Sequence, residues 1–347
     1  MIIREKEPVN LEMPFETLDG FITPNDRFYV RCHFPIPAID PSRWKLRIEG
    51  AVEKPMELRY DELSALEPRH LTVTLECAGN GRVFLVPKVK GVQWELGAVG
   101  NAEWTGVPLS DLLQHAAVKS SAREVIFEGA DNGPVSAAPH PAGKIHFARS
   151  VPIEKAAKDV LLAYKMNGEV LPPSHGFPLR AIVPGWYGMA SIKWLQRIIV
   201  TDNPFHGYYQ TIDYAHWEQH NGGPSLLPLT RMVVKAQISR PAMNEVVRSN
   251  DNYLIKGAAW TSNAEITKVE VSTDGGKQWS EAELLGKAVA NAWRLWHFNW
   301  KTPSRPGQYK LLARATDSTG AVQPHDRAPN RGTYVIDHAL PIDIEVR

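Results

Sequence analysis

The chain is poor in cysteine: among 347 residues only Cys32 and Cys77 carry a thiol. Two cysteines cannot build a disulfide framework, nor can they hold an iron–sulfur cluster of the usual four-thiolate kind. No Cys-x-x-Cys-His haem-attachment motif occurs. Net charge is scarce as well, since 39 basic residues against 38 acidic ones leave +1. No strong overall field draws such a chain to nucleic acid or to a membrane surface. Any preference for anions must come from local clusters of cations. No apolar run approaches the ~20 residues that cross a bilayer. The N-terminal stretch "MIIREKEPVN" is charged and lacks both the apolar core of a signal peptide and a twin arginine. The expectation is a cytoplasmic protein, or a periplasmic one where a leader has been removed.

Long helical patterns are also few, because 25 glycines and 27 prolines punctuate the chain. Short alternating segments take their place: 44–50, 71–76, 124–129, 178–184 and 196–202 carry β-branched or aromatic residues between turn formers, the signature of strands. Helices are predicted over 60–66, 108–116 and 152–168, the last with a proline at its start and Asn167-Gly168 as its stop. This mixture predicts an α+β domain over residues 1–230. Residues 231–347 change character. Regular strands follow one another with no convincing helix, and "TDGG" (273–276) is a strong hairpin signal. That pattern predicts an all-β, immunoglobulin-like sandwich, though the Cys…Trp…Cys spacing of antibody domains is missing. The length itself favours two domains.

One stretch holds the most chemistry. In "HLTVTLECAGNGR" (70–82) an alternating apolar run ends on Cys77 and opens into a small, flexible turn. A free cysteine is often a small buried hydrophobe. Against that, Ala78, Gly79 and Gly81 leave room for a bulky group to approach the backbone. Asn80 can satisfy the turn or a ligand. Arg82 places a permanent positive charge nearby, which favours thiolate over thiol. Such a cysteine is a plausible soft-metal ligand, and on these residues alone both readings stand.

The segment "TLECAGNGR" resembles the Thr-Leu-x-Cys-Ala-Gly-Asn-x-Arg signature of the sulfite oxidase family of molybdenum enzymes. "FYVRCHFPIP" (28–37) resembles that family's Phe-x-x-Arg-Asn-His segment, and "VKGVQW" (89–94) its Lys-Gly-x-x-Trp segment. "HGFPLRAIVPGWYGMASIKWL" (175–195) is similar to its cofactor stretch, and "QTIDY" (210–214) and "APNRG" (328–332) also have counterparts, all in order. The chain departs from the pattern in places. Cys32 stands where asparagine is usual, Gly81 where animal members carry a second arginine, and Tyr208 and Tyr209 where others have histidine and tryptophan.

The resemblance implies a molybdenum-molybdopterin cofactor with Cys77 as the single protein bond to the metal. It implies cofactor contacts from Phe28, Arg31, His33, Asp131, His175, Arg180, Ser191 and Lys193. It gathers Arg31, Arg82, Lys90 and Arg331 around an anionic substrate, with Tyr214 as hydrogen-bond donor or proton-transfer group and Trp94 as a wall. The implied reaction is oxidation of sulfite to sulfate by oxygen-atom transfer. Electrons would pass to an external acceptor, dioxygen or cytochrome c, as in haem-free plant and bacterial members. The second domain is expected to make a homodimer, with neither nucleic acid nor membrane as partner. Two rivals remain on the sequence: nitrate or sulfoxide chemistry on the same fold, and a metal-free anion-binding protein in which Cys77 is buried and inert.

Overall fold

A computed structural model describes residues 1–220, 222–328 and 331–347. The molecule is mostly strand, with short helices at Tyr60–Ser64, Leu109–Ala116, Ile153–Asp159 and Tyr208–Thr211. Among the described residues no helix is long and apolar enough to cross a membrane.

Two five-stranded sheets organise the first part of the chain. In one, Arg69–Glu76 pairs with Val99–Pro108, which pairs in turn with Leu161–Met166; Glu169–Val170 and Arg180–Ile182 flank this last strand. The other runs Met56–Arg59, Lys45–Gly50, Leu195–Thr201, Glu124–Pro134, Lys144–Pro152. Side-chain alternation explains the second sheet. In Lys45–Gly50, Leu46 and Ile48 point into the core while Lys45 and Arg47 face water. All strand neighbours there are antiparallel except Lys45–Gly50 with Leu195–Thr201, which run parallel.

The helix expected over 152–168 is corrected by the structure. Helix covers Ile153–Asp159 only; Val160 is extended, and Leu161–Met166 is a strand hydrogen-bonded on both sides. The run "VLLAY" is continuously apolar, a pattern that a buried helix and a buried strand share. Burial of Leu161, Leu162, Ala163 and Met166 between neighbouring strands decides it.

Among the described residues from Lys235 onward, strands joined by turns predominate. One sheet holds Lys235–Arg240, Asn252–Trp260, Arg294–Lys301 and Glu283–Leu284. The other holds Val246–Val247, Ile342–Val346, Gly307–Asp317, Ile266–Ser272 and Ser280–Glu281. Ile255, Trp296, Val269, Leu311 and Ile344 from both sheets share one apolar core. Gly275 (φ +78°) and Gly276 (φ +94°) turn the chain between Ile266–Ser272 and its partner Ser280–Glu281, left-handed positions that glycine accepts freely. This region does not stand apart: Trp260, Trp293 and Val335 belong to the main core of the first region. The Trp293 indole donates to the Phe21 carbonyl at 2.9 Å and its backbone N–H to Thr74 Oγ1 at 2.7 Å.

Candidate active site

The strand Arg69–Glu76 delivers Cys77 to a turn that its own sequence fastens. The Cys77 N–H donates to the Ala98 carbonyl (2.9 Å), and the Asn80 N–H returns to the Cys77 carbonyl (2.9 Å). Asn80 also accepts from the Ala98 N–H (3.1 Å) and donates to Glu76 (3.1 Å), so one amide ties both ends of the turn. The buried Arg82 guanidinium folds back across it, donating to the carbonyls of Val92 (2.7 Å) and Thr333 (3.1 Å). Gly79 and Gly91 make its slot: a Cβ at either position would lie 2.2 Å and 2.8 Å from guanidinium nitrogens.

Cys77 sits where two cavities meet. The inner chamber is walled by Tyr29, Arg31, His33, Asp131, His175, Arg180, Ser191, Lys193, Trp194 and Tyr214. The outer cleft, of about 460 Å³, is walled by Arg82, Lys90, Tyr208, Tyr209 and Tyr334, with Pro134–Pro139 along one side. Cys77, Arg31, His33 and Tyr214 belong to both. Phe28, Trp94 and Arg331 stand outside the described walls. Phe28 lies behind the inner chamber, stacked on Tyr29 (5.4 Å between centroids) with His175 at its edge (5.7 Å). Trp94 is fully buried, its indole N–H without a partner among the described residues. Arg331 lies 3.5 Å from Asp337.

The inner chamber is cationic. Arg31, Arg180 and Lys193 face it with Asp131 as the one carboxylate in its described wall. Burial pushes Asp131 up to about 6, against the pull of Lys193. Burial takes His175 down to about 3, so its ring is neutral; its Nε2–H donates to the Asn25 carbonyl (3.0 Å) and Nδ1 keeps its lone pair. Arg180 also falls, to about 10, through burial, and its Nε has no partner among the described residues. Lys193 donates to Cys32 Sγ (3.2 Å) and to the Ser174 carbonyl (3.0 Å). Cys32 thus serves as an acceptor that aims the lysine. The Ser191 hydroxyl accepts from the Val183 N–H at 3.0 Å.

A chain of hydrogen bonds crosses from the inner chamber to the cleft. Arg31 donates to the Cys32 carbonyl and to His33 Nδ1 (3.1 Å). A guanidinium has no acceptor, so His33 Nδ1 must accept. His33 Nε2 then carries the proton and donates to the Tyr214 hydroxyl at 2.7 Å. Burial, Arg31 and Lys193 hold His33 well below its ordinary pKa, consistent with a neutral ring. The hydroxyl proton of Tyr214 is left free to donate into the cavity, and burial keeps that group protonated. For Cys77, burial raises the thiol against the pull of Arg82, the Gly79 N–H and Arg31. The expectation that Arg82 favours thiolate has the right sign, but desolvation outweighs it; binding a metal would remove the proton.

Among the described residues no group of three or more His, Cys, Asp or Glu could hold a metal by itself. A metal at Cys77 would therefore take most of its ligands from outside the chain, and a chamber with three cations and an unpartnered guanidinium nitrogen suits an anionic group that carries them. The comparisons agree. Residues 33–209 match the oxidoreductase molybdopterin binding domain, and residues 228–333 the Mo-co oxidoreductase dimerisation domain. Sulfite oxidase of Gallus gallus is 36% identical, over 94% of this chain and 73% of its own. The chain belongs to the sulfite oxidase family of molybdopterin oxidoreductases. The mitochondrial sulfite oxidase of Mus musculus is also 36% identical over 94% of this chain, which spans 62% of that relative's length. Among solved structures, the sulfane dehydrogenase SoxCD from Paracoccus pantotrophus superposes with a TM-score of 0.85 at 31% identity, covering 97% of this chain and 84% of that one. The cofactor of the family is molybdenum-molybdopterin, and the donor set described here fits it.

Sequence reasoning missed Tyr29 and Tyr334. Tyr29 had a signal, lying within the "FYVRCHF" segment. Tyr334 had none: it reaches Asp213 across 121 residues of chain.

Proposed function

We propose that the chain oxidises sulfite to sulfate, taking the anion into the outer cleft beside Cys77. The observation that carries this reading is the position of that single thiol between a cationic chamber and a cleft lined by Arg31, Arg82, Lys90 and Tyr214. The cofactor, when bound, supplies the transferred oxygen and receives the electron pair. In balance, sulfite and water give sulfate, two electrons and two protons. Inner-chamber residues Arg31, Asp131, His175, Arg180 and Lys193 would hold the cofactor.

The chain's own residues bind and orient the anion. Each cation ~4 Å from a unit negative charge contributes roughly 4 kcal/mol at an effective dielectric of ~20, offset in part by desolvation. Arg82 is already desolvated and fixed by two carbonyls and a glycine slot, so it need not reorganise when the anion arrives. Tyr214, its hydroxyl oxygen satisfied by His33, directs its proton at the substrate oxygens. Lys90 is exposed at the mouth and draws anions in.

The finer architecture belongs to the same reading: an α+β catalytic domain to about residue 230, then an immunoglobulin-like sandwich that pairs two copies of the chain. Electrons leave to dioxygen or to a cytochrome c. The test is steady-state turnover of purified, molybdenum-loaded protein with sulfite and ferricyanide, beside nitrate with a reduced dye. Sulfite-dependent reduction of ferricyanide is the expected result. Faster turnover of nitrate would move the assignment to that rival, and purified protein without molybdenum would favour the anion-binding one.

A further inference from the structure

We propose that Tyr334, contributed by the C-terminal region, is a positioning residue that holds Tyr214 and Arg82 at the spacing the anion requires. The aromatic ring of Tyr334 stacks on that of Tyr214, with centroids 5.0 Å apart and planes at 29°. The Arg82 guanidinium lies over the same ring at 5.2 Å from its centroid. The Tyr334 hydroxyl donates to Asp213 Oδ1, and the same oxygen accepts the Tyr214 N–H at 3.0 Å. One residue therefore touches the ring and, through Asp213, the backbone of the donor tyrosine, and also the face of the anchoring arginine.

The backbone around these contacts is strained on both sides. Tyr214 has φ +50° and Val335 φ +55°, left-handed positions that bulky and β-branched residues rarely adopt. Such conformations persist where the surroundings over-determine them, and they cluster at functional sites. Here the Val335 N–H donates to the carbonyl of Ala78, one residue beyond Cys77, at 2.9 Å, and the Thr333 carbonyl accepts from Arg82. The segment 333–335 is thus stitched to the cysteine turn at two points. Stacking fixes the plane of Tyr214, with the edge-on His33 ring 5.5 Å away. Without the Tyr334 ring, Tyr214 can swing and Arg82 loses its cation–π partner.

In its kinetic form this inference rests on the sulfite reading, so the experiment carries a second readout that does not. Full-length, molybdenum-loaded parent, Tyr334→Leu and Tyr334→Phe are compared for kcat and KM with sulfite, and for sulfate affinity by calorimetry. Tyr334→Leu is expected to raise both KM and the sulfate Kd about tenfold, with kcat changed less, because stacking and cation–π contacts of this kind are lost together. Tyr334→Phe, which keeps the ring but loses the bond to Asp213, is expected to recover most of the loss in both constants, and a phenylalanine variant as impaired as the leucine one overturns the role given to the ring. A leucine variant with parental KM and Kd overturns the proposal. So does one in which kcat and molybdenum content fall together while both constants stay parental, since that is a purely structural effect. Should Tyr334→Leu fail to fold, Tyr334→Met, of similar reach and without a π face, gives the same reading. If the parent binds sulfate but does not oxidise sulfite, the substrate reading falls, and the Kd comparison still decides the role of Tyr334.

Discussion

A guanidinium can only donate, and that constraint runs from Arg31 through His33 to the hydroxyl of Tyr214. The expected cost of Tyr214→Phe is that of removing one fixed donor, about 10²–10³ in kcat/KM. Molybdenum content should be unchanged; an unaltered kcat/KM would contradict the chain as drawn. Cys77→Ser is expected to give a folded protein that has lost molybdenum and turnover, read by elemental analysis and circular dichroism. Titration offers a third check. His175 falls to about 3 in the fold, against ~6.5 unfolded. Between those values the unfolded chain binds more protons, so this residue adds stability as pH rises, by up to about 1.4 kcal/mol per unit. Asp131 has the opposite sign. Its folded value of about 6 exceeds the unfolded ~3.9, and stability is lost as pH rises between them. Asp131→Asn should therefore raise the urea midpoint of the cofactor-free chain at pH 7 and leave it unchanged at pH 4.

At the scale of elements, the part of the site most legible in the sequence is the strand and turn around Cys77. Alternation marks the strand, and Gly79, Asn80 and Arg82 mark the turn, because each acts through its immediate neighbours. The role of the glycine was only half visible. Room beside the backbone was expected to admit a ligand, whereas at Gly79 the room is filled by the protein's own Arg82. Gly79→Ala should displace that guanidinium and raise KM for sulfite more than it lowers kcat. A parental KM would show that Arg82 does not meet the anion. The segment 153–166 was illegible for another reason. Its helix and its strand run together in one apolar stretch, and only pairing with Val99–Pro108 and Arg180–Ile182 separates them. Tyr334 lay beyond any local pattern, since its partners are distant in the chain.

At the scale of the whole molecule, the two regions are joined by a buried ion pair directly beside the metal-ligand candidate. Lys235 Nζ lies 2.9 Å from Glu76 Oε1, both side chains 2% exposed, and the Trp260 indole donates to the other carboxylate oxygen at 2.9 Å. Lys235→Met leaves that carboxylate buried without its cation and should destabilise the protein by about 3–5 kcal/mol. Adding Glu76→Gln should recover most of the loss in urea unfolding; failure to recover it would locate the damage elsewhere.

That pair also sets an order of events during synthesis. The thiol turn leaves the ribosome well before the lysine that neutralises its neighbouring carboxylate, and before the strand that carries the tryptophan. Until those later residues arrive, the carboxylate next to Cys77 lacks both its cation and its indole donor. The residues that wall the inner chamber run from Tyr29 to Tyr214 and all precede Lys235, so a chain cut before that lysine keeps the lining but loses the pair that fastens the thiol turn, and should hold that turn more loosely.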